Sequence, residues 1–207
     1  MQKKSLFIVI EGLDGSGKST AGKILVDILE KEHPGKVIYT YEPNDESAGG
    51  KFIRAILTKK IADFHPRQLA LSFAANRLDH CSRVITPILA TEGGIVISDR
   101  YYLSSLVYQS APDYSMSKVW KLNENALTPD LIFFLNVSDE TCYQRMNKRN
   151  QPRELFETNL GETRKKFQKG VRFLQKKKEN WIVEIDGNGT PEETVEQMMN
   201  EIERRFF

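Results

Sequence analysis

Cysteine is scarce in this chain. Of 207 residues only Cys81 and Cys142 carry a thiol, and neither stands in a C-x-x-C pair or at a His/Cys metal spacing. That excludes a disulfide framework, and both are expected to be free thiols. Charge of one sign is also lacking: 30 Lys+Arg against 28 Asp+Glu leave a net +2, so no global field argues for a polyanion or a membrane surface. Long apolar runs are missing as well. None approaches the ~20 residues of a membrane span. The short run near the start is interrupted by Glu11, with no small-residue cleavage site after it. A cytoplasmic protein with no nucleic-acid and no membrane partner is expected. There is no internal repeat and no low-complexity linker, and the length suits one domain covering 1–207.

What the chain does have is alternation. Short runs rich in Val, Ile and Phe predict strands at 5–11, 36–41, 95–99, 131–137 and 182–186. Helical patterns fall between them at 18–32, 47–60, 66–92, 101–110, 115–126, 138–148, 158–179 and 192–206. Gly35, Gly93-Gly94, Pro129 and Gly187 to Gly189 mark boundaries. This is the sequence form of repeated βαβ units, an α/β fold with a five-stranded parallel sheet flanked by helices.

The first strand runs into EGLDGSGKST. Gly12, Gly17, Lys18 and Ser19 complete G-x-x-x-x-G-K-[ST], placed after a strand and at the start of an amphipathic helix, as phosphate binding requires. An ordinary glycine-rich turn is the plainer alternative. On the phosphate-binding reading the fold is a P-loop NTPase three-layer sandwich. Gly12, Leu13, Asp14, Gly15, Ser16, Gly17, Lys18, Ser19 and Thr20 then bind ATP, with Lys18 reaching the β- and γ-phosphates. Ser19 is one expected Mg²⁺ ligand. The run IVISDR ends a strand in Asp99, the second expected ligand for the ion or one of its waters; a helix cap is the plainer role for that aspartate.

The phosphoryl acceptor is read from what remains. A guanine-reading Asn-Lys-x-Asp is absent, since the nearest match, Asn147-Lys148-Arg149-Asn150, lacks the carboxylate. A motor ATPase would need spare length. A small-molecule kinase fits best. The ordered segments GLDGSGKST, YEP with KFIR, LSFAANR, DRYYLSSLVYQ and RMNKRNQPRE resemble the thymidylate kinases, which pass a phosphoryl group from ATP to dTMP, over nearly the whole chain.

Arg54 and Arg100 are cations suited to a monophosphate, and in the family the matching arginines bind the acceptor phosphate. A surface salt bridge is the alternative for Arg54. Phe73 and Arg77 share a helix face. By the resemblance Phe73 stacks on thymine, which competes with a plain core role, and Arg77 contacts a ring carbonyl. Ser105 and Gln109 also stand at i and i+4, and Gln109 can both donate and accept; in the family the matching positions lie near the base. The resemblance implies that Tyr108 crowds the place of a ribose 2′-hydroxyl and that Asp14 approaches the acceptor sugar. Glu42, which ends the second strand, is also expected to bind the acceptor.

Arg145, Arg149 and Arg153 follow at four-residue intervals in a mobile lid at about 145–157 that would close over ATP. Arg149 and Arg153 join Lys18 and Arg100 as expected catalytic residues, against helix-surface charge as the alternative. Family members are commonly homodimers, for which the helix after Pro66 would serve.

The chain departs from the family in three places. Tyr41-Glu42-Pro43-Asn44-Asp45 replaces Arg-Glu-Pro-Gly-Gly, the lid reads Glu154-Leu155-Phe156-Glu157 where Asp-Arg-x-Glu is usual, and Gly170-Val171 replaces Gly-Tyr. Two rival readings follow. One is a deoxynucleoside kinase that uses Glu42 as general base on a 5′-hydroxyl. The other is a weakly catalytic nucleotide-binding protein.

Overall fold

The computed structural model describes residues 4–148, 154–156, 159–177 and 182–207. Five parallel strands, β1 (Leu6–Gly12), β2 (Val37–Tyr41), β3 (Ile95–Asp99), β4 (Leu131–Asn136) and β5 (Ile182–Asp186), form one sheet in the order β2-β3-β1-β4-β5. The inner strands β1 and β3 are buried along their whole length, and β4 along all but its last residue. This is why they read as unbroken apolar runs rather than alternating ones. The edge strands β2 and β5 are only partly covered.

Nine α-helices are described: α1 (Lys18–Glu32), α2 (Ala48–Leu57), α3 (Pro66–His80), α4 (Thr86–Leu89), α5 (Tyr102–Tyr108), α6 (Met116–Asn123), α7 (Asp139–Lys148), α8 (Leu160–Lys176) and α9 (Pro191–Phe206). Their starts follow from local chemistry. Ser47 caps α2 by accepting from the Gly50 N–H, and Thr190 and Glu193 form a reciprocal capping box with Pro191 in the first turn of α9. A Cβ on Gly50 would lie 1.7 Å from the Asn44 carbonyl oxygen, so only glycine lets α2 start against the loop that follows β2.

The long helix expected over 66–92 runs to Leu89 with one widened turn: α3 passes at His80 into a π turn over Cys81–Ile85, which continues into α4 with right-handed helical backbone throughout. Pro87 is the cause: it lacks an N–H, and its ring crowds the carbonyl one turn back, so the preceding turn widens.

Apolar side chains form two cores. The larger surrounds the sheet. A smaller one joins Ile53, Ile56 and Leu57 of α2 to Leu69 of α3, with Phe73, Leu155 and Phe156 packed against it. The register sets Asp99 beside both Ile10 and Tyr41, so the ends of β1, β2 and β3 meet at the carboxyl edge, where open α/β sheets hold ligands.

Candidate active site

β1 delivers the chain into a tight loop over residues 12–17. Gly15 has φ 81, and a Cβ there would lie 2.4 Å from the Cys142 carbonyl oxygen in α7, so no other residue fits. Lys18 opens α1 and is folded back into the loop, where its Nζ donates to the Leu13 carbonyl at 2.8 Å and to Ser16 Oγ at 3.5 Å. Burial, helped by the neighbouring Arg100 cation, pushes the Lys18 ammonium down to about 8 against the pull of Asp99, Asp14 and Glu11. Thr20 is exposed on α1. Arg145 braces the loop from behind, donating to the Ser16 carbonyl at 3.3 Å, to Gly187 at 2.9 Å and to Gly189 at 3.0 Å.

Ser19 Oγ donates to Asp99 Oδ2 at 2.5 Å, and the Tyr39 hydroxyl donates to the same oxygen at 3.1 Å. Burial and then the Asp99 charge raise the Tyr39 phenol, which therefore stays a donor. Asp99 Oδ1 is buried with no hydrogen-bond partner. A hydroxyl oxygen beside an unsatisfied carboxylate oxygen suits a hard cation that takes its remaining ligands from phosphates and water. Among the described residues no group of three or more His, Cys, Asp or Glu side chains could hold a metal without such help.

From this pair a cavity of about 1020 Å³ runs to Phe73, Arg77 and Gln109. Arg100 stands midway, held in a left-handed conformation with φ 72. Its Nη1 donates to the Gly12 carbonyl at 3.2 Å and to Ser104 Oγ at 2.9 Å, and its Nη2 pairs with Asp14. Backbone strain at a non-glycine residue costs ~1–3 kcal/mol, and here it accompanies a guanidinium that lines the cavity.

The Tyr108 hydroxyl donates to Asp14 at 3.4 Å, and its ring stacks on Phe156 with centroids 5.0 Å apart. Gln109, 8% exposed, lines the cavity with its Oε1 unsatisfied. Ser105 Oγ accepts from Arg77 Nη2 at 3.1 Å. Phe73 is half-buried and lines the same wall.

Arg77 is buried to a degree unusual for arginine, with 1% exposed. Its Nε donates to Glu42 Oε2 at 2.8 Å and its Nη2 lies 2.6 Å from the same oxygen. Glu42 Oε1 faces His80 Nδ1 at 3.3 Å. Both carboxylate oxygens are thus engaged by protein groups. Arg54 also lines the cavity, with Nη1 3.2 Å from Glu154 and Nε 3.6 Å from Asp45. Asp45 accepts in turn from the Tyr41 hydroxyl at 2.5 Å.

A family model described as thymidylate kinase matches residues 10–198. The chain is 34% identical over 200 residues to a probable thymidylate kinase of Methanocaldococcus jannaschii, covering 96% of this chain and 94% of that protein. It is 38% identical over 148 residues to the thymidylate kinase of Brachyspira hyodysenteriae, 70% of each chain. The chain belongs to the thymidylate kinase family. A crystal structure of thymidylate kinase from Ehrlichia chaffeensis superposes with a TM-score of 0.72 at 24% identity, over 96% of this chain and 99% of that one, and bears on the fold alone. The family resemblance and the fold class read from the sequence are thereby borne out.

Several sequence expectations change within this thymidylate kinase frame. Arg145 and Lys148, at the start of the expected lid, belong to α7, and Arg145 is tied to the phosphate loop. Arg149 and Arg153 lie outside the described residues. Arg77 is sunk in the cavity wall.

Two further groups at or behind the site were not picked out from the sequence. Glu11, read only as an interruption of an apolar run, is fully buried; it accepts from the Tyr101 N–H at 2.9 Å, the Ser104 N–H at 3.0 Å and Ser104 Oγ at 2.6 Å. A charge inside a buried strand was the available clue. Lys23, one turn after Ser19, lines the cavity too; its i+4 spacing from Ser19 was the signal.

Proposed function

We infer that this thymidylate kinase family member transfers the γ-phosphoryl group of ATP to dTMP. The observation that carries the reading is one cavity with the Ser19–Asp99 pair at the phosphate-loop end, and an aromatic ring, an arginine and a glutamine side chain at the other. In this reading Lys18 leaves the Leu13 carbonyl for the triphosphate, whose charge is met by loop N–H groups. Ser19 and Asp99 would hold a magnesium ion, which would supply neutralising charge for the triphosphate. Arg100 and Arg54 hold the acceptor phosphate, Arg100 aligning it with the donor. An acceptor phosphate oxygen bonds to the γ-phosphorus as the bond to the β-bridging oxygen breaks, giving ADP and dTDP. The acceptor is a phosphate monoester, largely ionised at neutral pH, so no protein base is required. Phe73 stacks on the base, Ser105 and Gln109 face its edge, and Asp14 and Tyr108 face the sugar.

The test is an acceptor screen with Mg·ATP in which ADP is followed for dTMP, dUMP, thymidine and other monophosphates. Turnover with dTMP above all others is expected. Turnover with thymidine alone, or ATP binding without turnover on any acceptor, rejects the reading.

We also propose that two copies pair through α3. Leu71 (56% exposed) and Leu78 (42%) stand seven residues apart on one helix face, and Leu127 lies beside Leu78. Sedimentation should give a dimer that Leu78→Asp converts to a monomer. No helix among the described residues is long and apolar enough to cross a membrane.

A further inference from the structure

We propose that His80 and Asn123 are positioning residues for base selection: through a buried chain of hydrogen bonds they fix the Arg77 guanidinium so that one N–H remains for the acceptor. This deepens the reading above and rests on it.

The chain begins on β2. Thr40 Oγ1 lies 2.7 Å from His80 Nε2, and His80 Nδ1 lies 3.3 Å from Glu42 Oε1. A neutral ring with its hydrogen on Nδ1 satisfies both contacts, donating to the carboxylate and accepting from the threonine hydroxyl. The other Glu42 oxygen takes Arg77 Nε and Nη2, Ser105 takes a second Nη2 hydrogen, and Asn123 Oδ1 takes one from Nη1. Asn123 is itself anchored, since its Nδ2 donates to the Val119 carbonyl at 2.8 Å within α6. The Tyr101 ring, 5.0 Å from the guanidinium carbon, fixes the plane. His80 is 0%, Arg77 1% and Asn123 3% exposed.

An arginine has five N–H donors. Four have protein acceptors here, and one Nη1 hydrogen has none among the described residues, on a side chain that lines the cavity.

The consequence is selectivity. A guanidinium on a loose stem can turn away from a base edge that offers a donor. One held at four points and stripped of water cannot, so it favours a ring carbonyl and rejects an exocyclic amine, leaving both donors unpaired in the second case. Thymine carries a carbonyl where cytosine carries an amine, so rigidity in this chain of contacts should appear as dTMP preference over dCMP. Neither His80 nor Asn123 needs to touch the nucleotide.

The experiment compares the whole protein with His80→Ala, His80→Gln, Asn123→Ala and Thr40→Val. It measures kcat and KM for dTMP and dCMP at saturating ATP, KM for ATP, and calorimetric binding of both monophosphates. His80→Ala and Asn123→Ala should raise KM for dTMP and lower the dTMP-to-dCMP preference roughly tenfold, with KM for ATP within about twofold. His80→Gln should recover most of the preference, because an amide can donate to Glu42 and accept from Thr40. Thr40→Val, nearly isosteric, should shift the preference in the same direction by about threefold, and serves if an alanine variant does not fold.

An unchanged preference in folded variants, with kcat lowered equally for both acceptors, overturns the proposal; so does a glutamine variant no better than alanine. The two levels separate cleanly. Wild-type protein that binds dTMP over dCMP without turning it over defeats the kinase reading and leaves the positioning claim standing on the binding ratios. A wild type with no base preference in binding defeats the positioning claim.

Discussion

The donor end of the cavity is set by backbone resting on a buried sheet, whereas the acceptor end is set by side chains reaching across the chain. β1 and β3 are wholly buried, and the phosphate loop sits on their ends with Gly15 against the Cys142 carbonyl. At the acceptor end, the small core of Ile53, Ile56, Leu57 and Leu69 is capped by Leu155 and Phe156. Asn76 there pins Asn44 through both its amide groups, accepting at 3.0 Å and donating at 2.9 Å. A phosphate is a compact anion that amide N–H groups recognise with little regard to neighbouring side chains. A base and a sugar must be told from close analogues, which takes groups held at defined angles. Loss of a single side chain should therefore act on rate at one end and on choice at the other.

The largest expected effect tests the donor end. Lys18→Ala should cut transfer to dTMP by about 10³-fold or more while circular dichroism stays native; turnover within tenfold of wild type would break the assignment. Next comes choice at the acceptor end. Tyr108→Ala should narrow the preference for dTMP over its ribose counterpart by about tenfold at little cost in ATP affinity, and Phe156→Ala, which removes the ring stacked on Tyr108, should do the same to a smaller extent. An unchanged ratio in both places the sugar filter elsewhere.

A pH titration sharpens the comparison further. Lys18 in the empty protein sits at about 8 against 10.5 in the open chain. Between those values the unfolded chain binds one more proton, so this group makes the empty protein more stable as pH rises through that window. ATP affinity should fall over the same rise as the folded lysine loses its charge, and Lys18→Ala should flatten both curves. The smallest effect is expected at Arg54, whose partners Asp45 and Glu154 must yield to an incoming phosphate. Glu154→Gln should lower KM for dTMP two- to threefold, as suits a half-exposed ion pair; a raised KM would show that Glu154 helps rather than competes.

Legibility in the sequence followed distance along the chain. The phosphate loop is contiguous, and Asp99 announces itself at a strand end, so both were readable. Phe73, Arg77, Ser105 and Gln109 were readable as helical pairs, and all four line the cavity. The partners that hold Arg77 were not, because Glu42 lies 35 residues before it and Asn123 46 after, and no local period links them. The widened turn before Pro87 left no mark in the apolar spacing, although the proline itself was the warning. Arg145 was grouped with the lid by its four-residue rhythm, while the structure uses it as a brace for the phosphate loop.

Glu11 has a consequence for how such a site can change over time. One carboxylate on the strand that carries the phosphate loop clasps the first turn of α5, from which Ser104, Ser105, Tyr108 and Gln109 project. Burial raises this acid above its usual range, and the clasping donors oppose that rise. The two walls are thereby stitched into a single rigid piece, and the gap across which a phosphoryl group must jump becomes a fixed dimension of the scaffold. New acceptors can be accommodated by redrawing α3, α6 and the strap at 154–156, while the clasp keeps the jump the same length.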